Sequence, residues 1–244
     1  MDDRKTGSTM AHVMSMTEPM ADCPQAGHGC AGAMLCRFAR PQGERRRGLA
    51  RGDALETGGL GEDRALRGCT VRTGLVATSL TTPAGERQIL ALSGPGEIVS
   101  PIWLAAETRT EALAQSDLCV VDLAVDGARL ARDAAFWRQM TGLGAAALAA
   151  AAARLAALGK KSSTERVADF VLEMAERFGR RGPQGVTLTL SLGREDIADY
   201  LGLTTETVSR AFGRLKRDRL VVLRSPTELR IEDRLGLARL AGRV

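Results

Sequence analysis

The segment 204–217 carries side chains that could recognise nucleic-acid bases, at spacings that a helix would bring together. The polar ones fall on one face, which we call the reading face: Glu206, Ser209, Arg210, Arg214 and Arg217. The opposite face is apolar: Val208, Ala211, Phe212 and Leu215. Arginine can donate a forked pair of hydrogen bonds to guanine, glutamate can accept from the amino group of cytosine, and serine can bond to a base or a phosphate. The segment therefore predicts a helix that packs on one side and contacts base edges on the other.

A shorter helix and a tight turn precede this segment. Residues 191–201 predict a helix, and Gly202 supplies a turn conformation that costs glycine little. Thr204 or Thr205 can cap the helix that follows. The side chains predicted to face inward from the first helix are Ile197, Ala198 and Leu201. This arrangement is typical of a helix-turn-helix.

Two strand-like runs after the second helix predict a hairpin wing. They cover residues 220–223 and 229–231 and are joined around Pro226. The elements together predict a winged helix-turn-helix that places its second helix in the major groove of double-stranded DNA. An ordinary amphipathic helix pair with a solvated polar face is the alternative.

The five cysteines suggest metal or redox chemistry, because disulfide frameworks are rare in cytoplasmic proteins. Cys23, Cys30 and Cys36 lie in a segment rich in glycine and alanine, and Cys119 lies on a predicted strand. Four thiolates are the usual ligands of a [4Fe–4S] cluster. Zinc is an alternative, and so is a set of cysteines with no ligand role. Cys69 lies in a predicted core strand, where we expect it to pack as a small apolar residue.

Charge and pattern divide the chain into four parts with an α+β architecture. Residues 1–48 form a cysteine-containing leader, and residues 49–133 predict an antiparallel β-roll. Residues 134–159 predict a long helix and a hinge, and residues 160–244 the winged helix-turn-helix domain. This last part holds 17 Lys/Arg against 12 Asp/Glu, so it carries the whole net charge of +5. A basic module beside a neutral one is expected when one of them meets a polyanion.

Frequent glycines and short apolar runs carry the β-roll prediction. The strand-like runs cover residues 70–80, 87–92 and 118–125, and Pro83 to Glu86 is typical of a hairpin tip.

The long helix is the predicted dimerisation element. Ten of the fourteen residues from Gly144 to Ala157 are alanine, the strongest helix former. Larger apolar residues recur at spacings close to those of a packing seam: Met140, Leu143, Leu148, Leu155 and Leu158. An intramolecular core helix is the alternative. Gly159 to Lys161 predict a hinge.

Several classes of protein are excluded by what the sequence lacks. No uninterrupted apolar run reaches the roughly 18 residues of a membrane span, and Met1 to Met20 do not resemble a signal peptide, so we expect a cytoplasmic protein without a membrane partner. No phosphate-binding glycine loop, His/Glu metal cluster or Ser/His/Asp set supports an enzyme.

From about Leu49 to Gly242 the chain resembles the CRP/FNR superfamily of bacterial transcription regulators, nearest the FNR and FixK branch. The most specific match runs from Asp196 to Arg210, and the turns at Gly52, Gly74 and Gly96 resemble those of the family's β-roll. The resemblance implies a homodimer that binds an inverted repeat with TTGAT-like half-sites and works with RNA polymerase. It implies that Glu206, Ser209 and Arg210 read the half-site. The other side chains that we predict to contact DNA are Thr205, Arg214 and Lys216.

The same resemblance implies an effector. FNR proteins hold an oxygen-sensitive [4Fe–4S] cluster with three N-terminal cysteines and a distal one, which correspond here to Cys23, Cys30, Cys36 and Cys119. Cys23 lies four residues earlier than the FNR pattern requires. Cyclic nucleotide is the competing effector, through the pairs Gly96-Glu97 and Arg109-Thr110. Haem, or no effector, is a further alternative.

Overall fold

Two antiparallel sheets build the N-terminal β-roll in a computed structural model of the chain. The structure describes residues 39–55, 67–99, 108–123, 132–183, 185–225 and 227–244. One sheet has the strand order β1-β7-β2-β5 and the other β4-β3-β6. The strands are β1 (Ala39–Leu49), β2 (Arg67–Thr73), β3 (Val76–Thr81), β4 (Arg87–Ser93), β5 (Ile98–Val99), β6 (Thr108–Ala112) and β7 (Ser116–Leu123).

The helices and a third sheet follow the roll. They are α1 (Ala134–Lys160), α2 (Ser163–Phe178), β8 (Arg180–Gly182), β9 (Gly185–Thr189), α3 (Arg194–Leu201), α4 (Thr205–Arg217), β10 (Val221–Leu223), β11 (Glu228–Ile231) and α5 (Arg234–Leu240). The third sheet has the order β10-β11-β9-β8. The α+β architecture of a β-roll, a long helix and a winged helix-turn-helix is confirmed.

The roll differs from the sequence prediction at two places. The irregular leader was expected to reach Gly48, but β1 already begins at Ala39 and pairs with β7. The single run predicted over residues 70–80 is two strands in different sheets, because the chain turns at Gly74, which has φ +89°. A Cβ at Gly74 would collide with Ser116, so only glycine fits where the two sheets meet.

The long helix α1 is largely uncovered in the single chain. Asp133 caps its first turn, and Phe136 is its one buried residue. By length and average composition α1 could cross a membrane, although the sequence contains no uninterrupted apolar run of that length. The two statements differ because the mean hydropathy of α1 stays high when Arg154 is averaged with many alanines, whereas an uninterrupted apolar run ends at Arg154. The helix also extends through Lys160, so the connection to α2 is only Lys161 and Ser162.

One apolar core is shared by the roll and the DNA-binding domain. Buried side chains of the sheet β4-β3-β6 and its edge, including Leu75, Ile89 and Leu92, contact the core of α2, α3 and α4. A second core lies inside the roll and includes Cys69, which is 2% exposed. The prediction that Cys69 packs as a small apolar residue is confirmed.

Candidate nucleic-acid interface

Helices α3 and α4 meet at a tight turn that the sequence predicted. Gly202 ends α3 with φ 61° and ψ 48°, the left-handed conformation that favours glycine. Thr204 then caps α4, because its side chain accepts a hydrogen bond from the backbone N–H of Thr207 at 3.2 Å. At the start of α3, the Asp196 carboxylate accepts from the backbone N–H of Gly193 at 3.0 Å. These local bonds fix both helices of the motif.

The inner face of α4 packs as predicted. Val208 and Leu215 have no exposed surface, and Phe212 is 1% exposed. The Arg194 guanidinium of α3 lies 3.7 Å from the centre of the Phe212 ring. Burial lowers the pKa of Arg194, and stacking of this kind compensates a guanidinium for lost hydration. No pattern in the sequence pointed to this contact, since a single arginine at the start of a helix is ordinary.

The reading face is exposed over its whole length: Glu206, Ser209, Arg210, Arg214 and Arg217. Thr205 and Lys216, the other two side chains predicted to contact DNA, are exposed as well. Arg210 donates to Glu206 at 2.9 Å and to the Thr207 hydroxyl at 3.3 Å. The Ser209 hydroxyl donates to the Thr205 carbonyl at 2.9 Å. These bonds hold the Arg210 guanidinium and the Glu206 carboxylate together on the exposed side of α4.

The predicted wing is the hairpin of β10 and β11. Val221 pairs with Ile231, and Leu223 pairs with Leu229. Pro226, around which the strands were expected to turn, lies outside the described residues. Strand β11 also pairs with β9, so the wing is continuous with the sheet under α2. The wing is therefore rigidly attached to the helix-turn-helix.

Only one of the four candidate cluster ligands is described. Cys119 lies half-buried on β7, opposite Thr70 of β2 and Arg46 of β1. Cys23, Cys30 and Cys36 lie outside the described residues. Within the described ranges, no three His, Cys, Asp or Glu residues are grouped as a metal ion would require.

The residues considered for a cyclic nucleotide are engaged in other contacts. Glu97 accepts two hydrogen bonds from Arg177 of α2, at 3.0 and 2.6 Å. Arg109 pairs with Glu111 at 3.0 Å, and Thr110 is buried beside Thr78. These contacts disfavour the phosphate-binding role considered for the pairs Gly96-Glu97 and Arg109-Thr110.

Comparison with known proteins agrees with this geometry. Residues 165–240 match the family model of the Crp-like helix-turn-helix domain. The transcriptional regulatory protein btr of Bordetella pertussis is 32% identical over 175 residues, which cover 70% of this chain and 72% of btr. The nitrogen fixation regulation protein FixK of Azorhizobium caulinodans is 36% identical over 174 residues, 70% of this chain and 69% of FixK. The chain belongs to the CRP/FNR superfamily, in the FNR/FixK branch.

A solved structure supports the fold of this CRP/FNR regulator. FixK2 from Bradyrhizobium japonicum superposes with a TM-score of 0.70 at 28% identity, covering 81% of this chain and 96% of FixK2. The protein is therefore a DNA-binding transcription regulator and not an enzyme.

Proposed function

We propose that this CRP/FNR regulator binds, as a homodimer, an inverted repeat with TTGAT-like half-sites. The observation that carries the proposal is the exposure of Glu206, Ser209 and Arg210 together on a helix whose other face is buried. Two such helices in successive major grooves would each read one half-site. Thr205, Arg214 and Lys216 lie beside them, and we assign them contacts to the flanking phosphates or bases. The regulator would act with RNA polymerase in the cytoplasm.

The exposed stripe of α1 supports the dimer. Leu148 and Leu155 are 71% and 72% exposed, and Leu158 is 50% exposed. Leu148 and Leu155 lie seven residues apart, and Leu158 follows three residues later. The small residues Gly144 and Ala151 fall at other positions of the same heptad seam. Apolar side chains at this spacing bury their surface when a second copy of the helix lies alongside. Small residues in the seam allow the two backbones to approach closely.

A second helix explains the apolar surface of α1 better than a lipid bilayer does. The Arg154 guanidinium lies 4.9 Å from the centre of the Tyr200 ring, so the C-terminal half of α1 rests on α3. The same half lines a cavity of about 320 Å³ with β4 and α2. These contacts attach α1 to both domains of one chain. Leu155 and Leu158 border the cavity and still remain largely exposed, and Leu148 lies outside it.

For the effector we propose a [4Fe–4S] cluster that makes the regulator responsive to oxygen or redox state. The proposed ligands are Cys23, Cys30, Cys36 and Cys119. β1 runs beside β7, with Ala39 opposite Leu123, four residues from Cys119. Cys36 precedes Ala39 by three residues, a reach of at most about 10 Å. The leader therefore joins the roll next to the strand that carries Cys119. This supports the proposal that Cys36 and Cys119 are ligands of the same cluster. When bound, the cluster would supply a group that oxygen can destroy.

A regulator without an iron–sulfur cluster is the second candidate. Such a protein would respond to a cyclic nucleotide or act without an effector. The ion pairs of Glu97 and Arg109 disfavour binding of a cyclic nucleotide. They do not bear on a regulator that acts without an effector.

Two experiments test these proposals separately. Selection from a random DNA pool should recover an inverted repeat, and recovery of no common sequence would contradict the DNA proposal. Anaerobic purification should yield a coloured protein with iron and sulfide. Cys119→Ala should lose both, whereas Cys69→Ala, a matched change in the roll core, should keep them. A colourless, iron-free protein that still binds its repeat would contradict the cluster and favour the second candidate.

A further inference from the structure

Three carboxylates from two domains surround the Arg87 guanidinium at the start of β4. Its Nη1 donates at 2.5 Å to Glu111 of β6, which lies in the same sheet on the far side of β3. Nη2 donates to Asp196 at 2.6 Å, and Nε donates to Asp199 at 2.7 Å. Both aspartates belong to α3, the first helix of the helix-turn-helix. We call this set the Arg87 clamp.

The Arg87 clamp is largely removed from solvent. The Asp196 side chain is 5% exposed and that of Glu111 is 10% exposed. Burial alone would lower the pKa of the Arg87 guanidinium, but hydrogen bonds to Asp196, Asp199 and Glu111 outweigh it and raise the pKa. The guanidinium therefore stays charged. Its removal would take away the cation that the three carboxylates share across the domain boundary, leaving Asp196 paired with Arg51 and Glu111 paired with Arg109.

A second arginine makes the reciprocal contact at the other end of β4. Arg177 of α2 donates to both oxygens of Glu97, which follows β4 in the roll, and to the backbone carbonyl of Leu92 at 2.6 Å. The adjacent Phe178 ring packs against Gly94, where a Cβ would collide with it. We call this set the Arg177 clamp. One arginine thus comes from each domain and binds carboxylates of the other.

The two clamps are far enough apart to fix an orientation. Arg87 and Leu92 are separated by about 17 Å along β4. A single ion pair would allow the DNA-binding domain to rotate about it. Two separated anchors leave only rotation about the line that joins them, and the apolar core shared by the two domains opposes that rotation. The clamps involve α2 and α3, and α4 packs on both of these helices, so the reading face follows their orientation. Glu206 and Arg210 remain exposed in this arrangement.

We propose that Arg87 and Arg177 are positioning residues that hold the reading face at a fixed orientation on the β-roll and so set the half-site spacing that the dimer accepts. This rests on the proposed binding of an inverted repeat by a homodimer. The centres of two half-sites lie about one helical turn apart on DNA. A domain that is already oriented loses less freedom on binding than a loose one, and it tolerates fewer spacings.

The test compares full-length variants on one inverted repeat with three central spacings. The first repeat has the central spacing that the wild-type protein prefers. In the other two, the central spacing is longer by two and by five base pairs. The variants are Arg87→Gln for the first clamp and Glu97→Gln for the second. Arg72→Gln is the matched control, because Arg72 pairs with Asp117 at 3.0 Å within the roll. Thermal unfolding checks that each variant folds.

Arg87→Gln should bind the preferred repeat about tenfold more weakly and should lose less on the lengthened repeats, so the spacing preference shrinks. Glu97→Gln should act in the same direction, and Arg72→Gln should match wild type. If Arg87→Gln does not fold, Glu97→Gln decides the question, since the Glu97 side chain is 36% exposed. Unchanged spacing preference, equal losses at all three spacings, or tighter binding would overturn the proposal. Wild type without any preferred repeat would instead contradict the proposed function.

Discussion

Replacement of Arg210 by alanine separates the role of the reading face in DNA recognition from its role in folding. Arg210 and Glu206 form an ion pair one helical turn apart, with side chains 69% and 77% exposed. Exposed pairs of this kind contribute only about 0.3–0.5 kcal/mol to stability. Arg210→Ala should therefore leave the free energy of unfolding almost unchanged, as measured by denaturant titration.

The effect of the same change on DNA binding should be much larger. A forked contact from arginine to guanine contributes about 1–3 kcal/mol of discrimination. A homodimer carries the change twice, so the full repeat should lose at least about thirtyfold in affinity. Fluorescence anisotropy with labelled duplexes measures this loss. Arg210→Lys keeps the charge without the fork, so it should recover only part of the affinity.

The sequence dependence of the loss decides between two roles for Arg210. If Arg210 contacts a base edge, Arg210→Ala should reduce the preference at one base pair of each half-site and leave the others unchanged. Duplexes with single substitutions across one half-site measure this directly. An equal loss on every duplex would show that Arg210 contacts a phosphate, and no loss would refute its assignment to the interface.

Three further changes test other parts of the structure. Lys216→Ala should weaken binding to all sequences alike and should reduce the slope of log affinity against log salt by about one for each half-site. Leu155→Glu should convert the dimer to a monomer in analytical ultracentrifugation, whereas Ala153→Glu, on the opposite side of α1, should not; a dimeric Leu155→Glu protein would contradict the seam. Phe212→Ala should lower the free energy of unfolding by about 3–5 kcal/mol, since the ring is 1% exposed; a loss below about 1 kcal/mol would contradict its place in the core.

The helix-turn-helix could be predicted from sequence because its signals are local. The inner and outer faces of α4 follow from the helical period, and the turn at Gly202 follows from glycine's access to the left-handed conformation. The alternation of the wing and the length of α1 are likewise properties of short segments. In each case the pattern lies within the segment itself and reveals the element whether its packing partner is near or far in sequence.

The parts that sequence reasoning missed depend on distant partners. β1 contains Pro41, Gly43 and a run of arginines, and it is a strand only because β7 pairs with it. The division of the run 70–80 at Gly74 depends on contact with Ser116. The Arg87 clamp joins residues 24 to 112 positions apart, so no local pattern marks Arg87 among the other arginines.

The most direct test of DNA reading by α4 is protection of the selected repeat from methylation. Dimethyl sulfate modifies guanine N7 in the major groove and adenine N3 in the minor groove. If α4 lies in the major groove of each half-site, the regulator should protect guanine N7 in two clusters about one helical turn apart. Arg210→Ala should abolish protection of one guanine in each cluster. Protection confined to adenine N3, or a single cluster, would contradict the account.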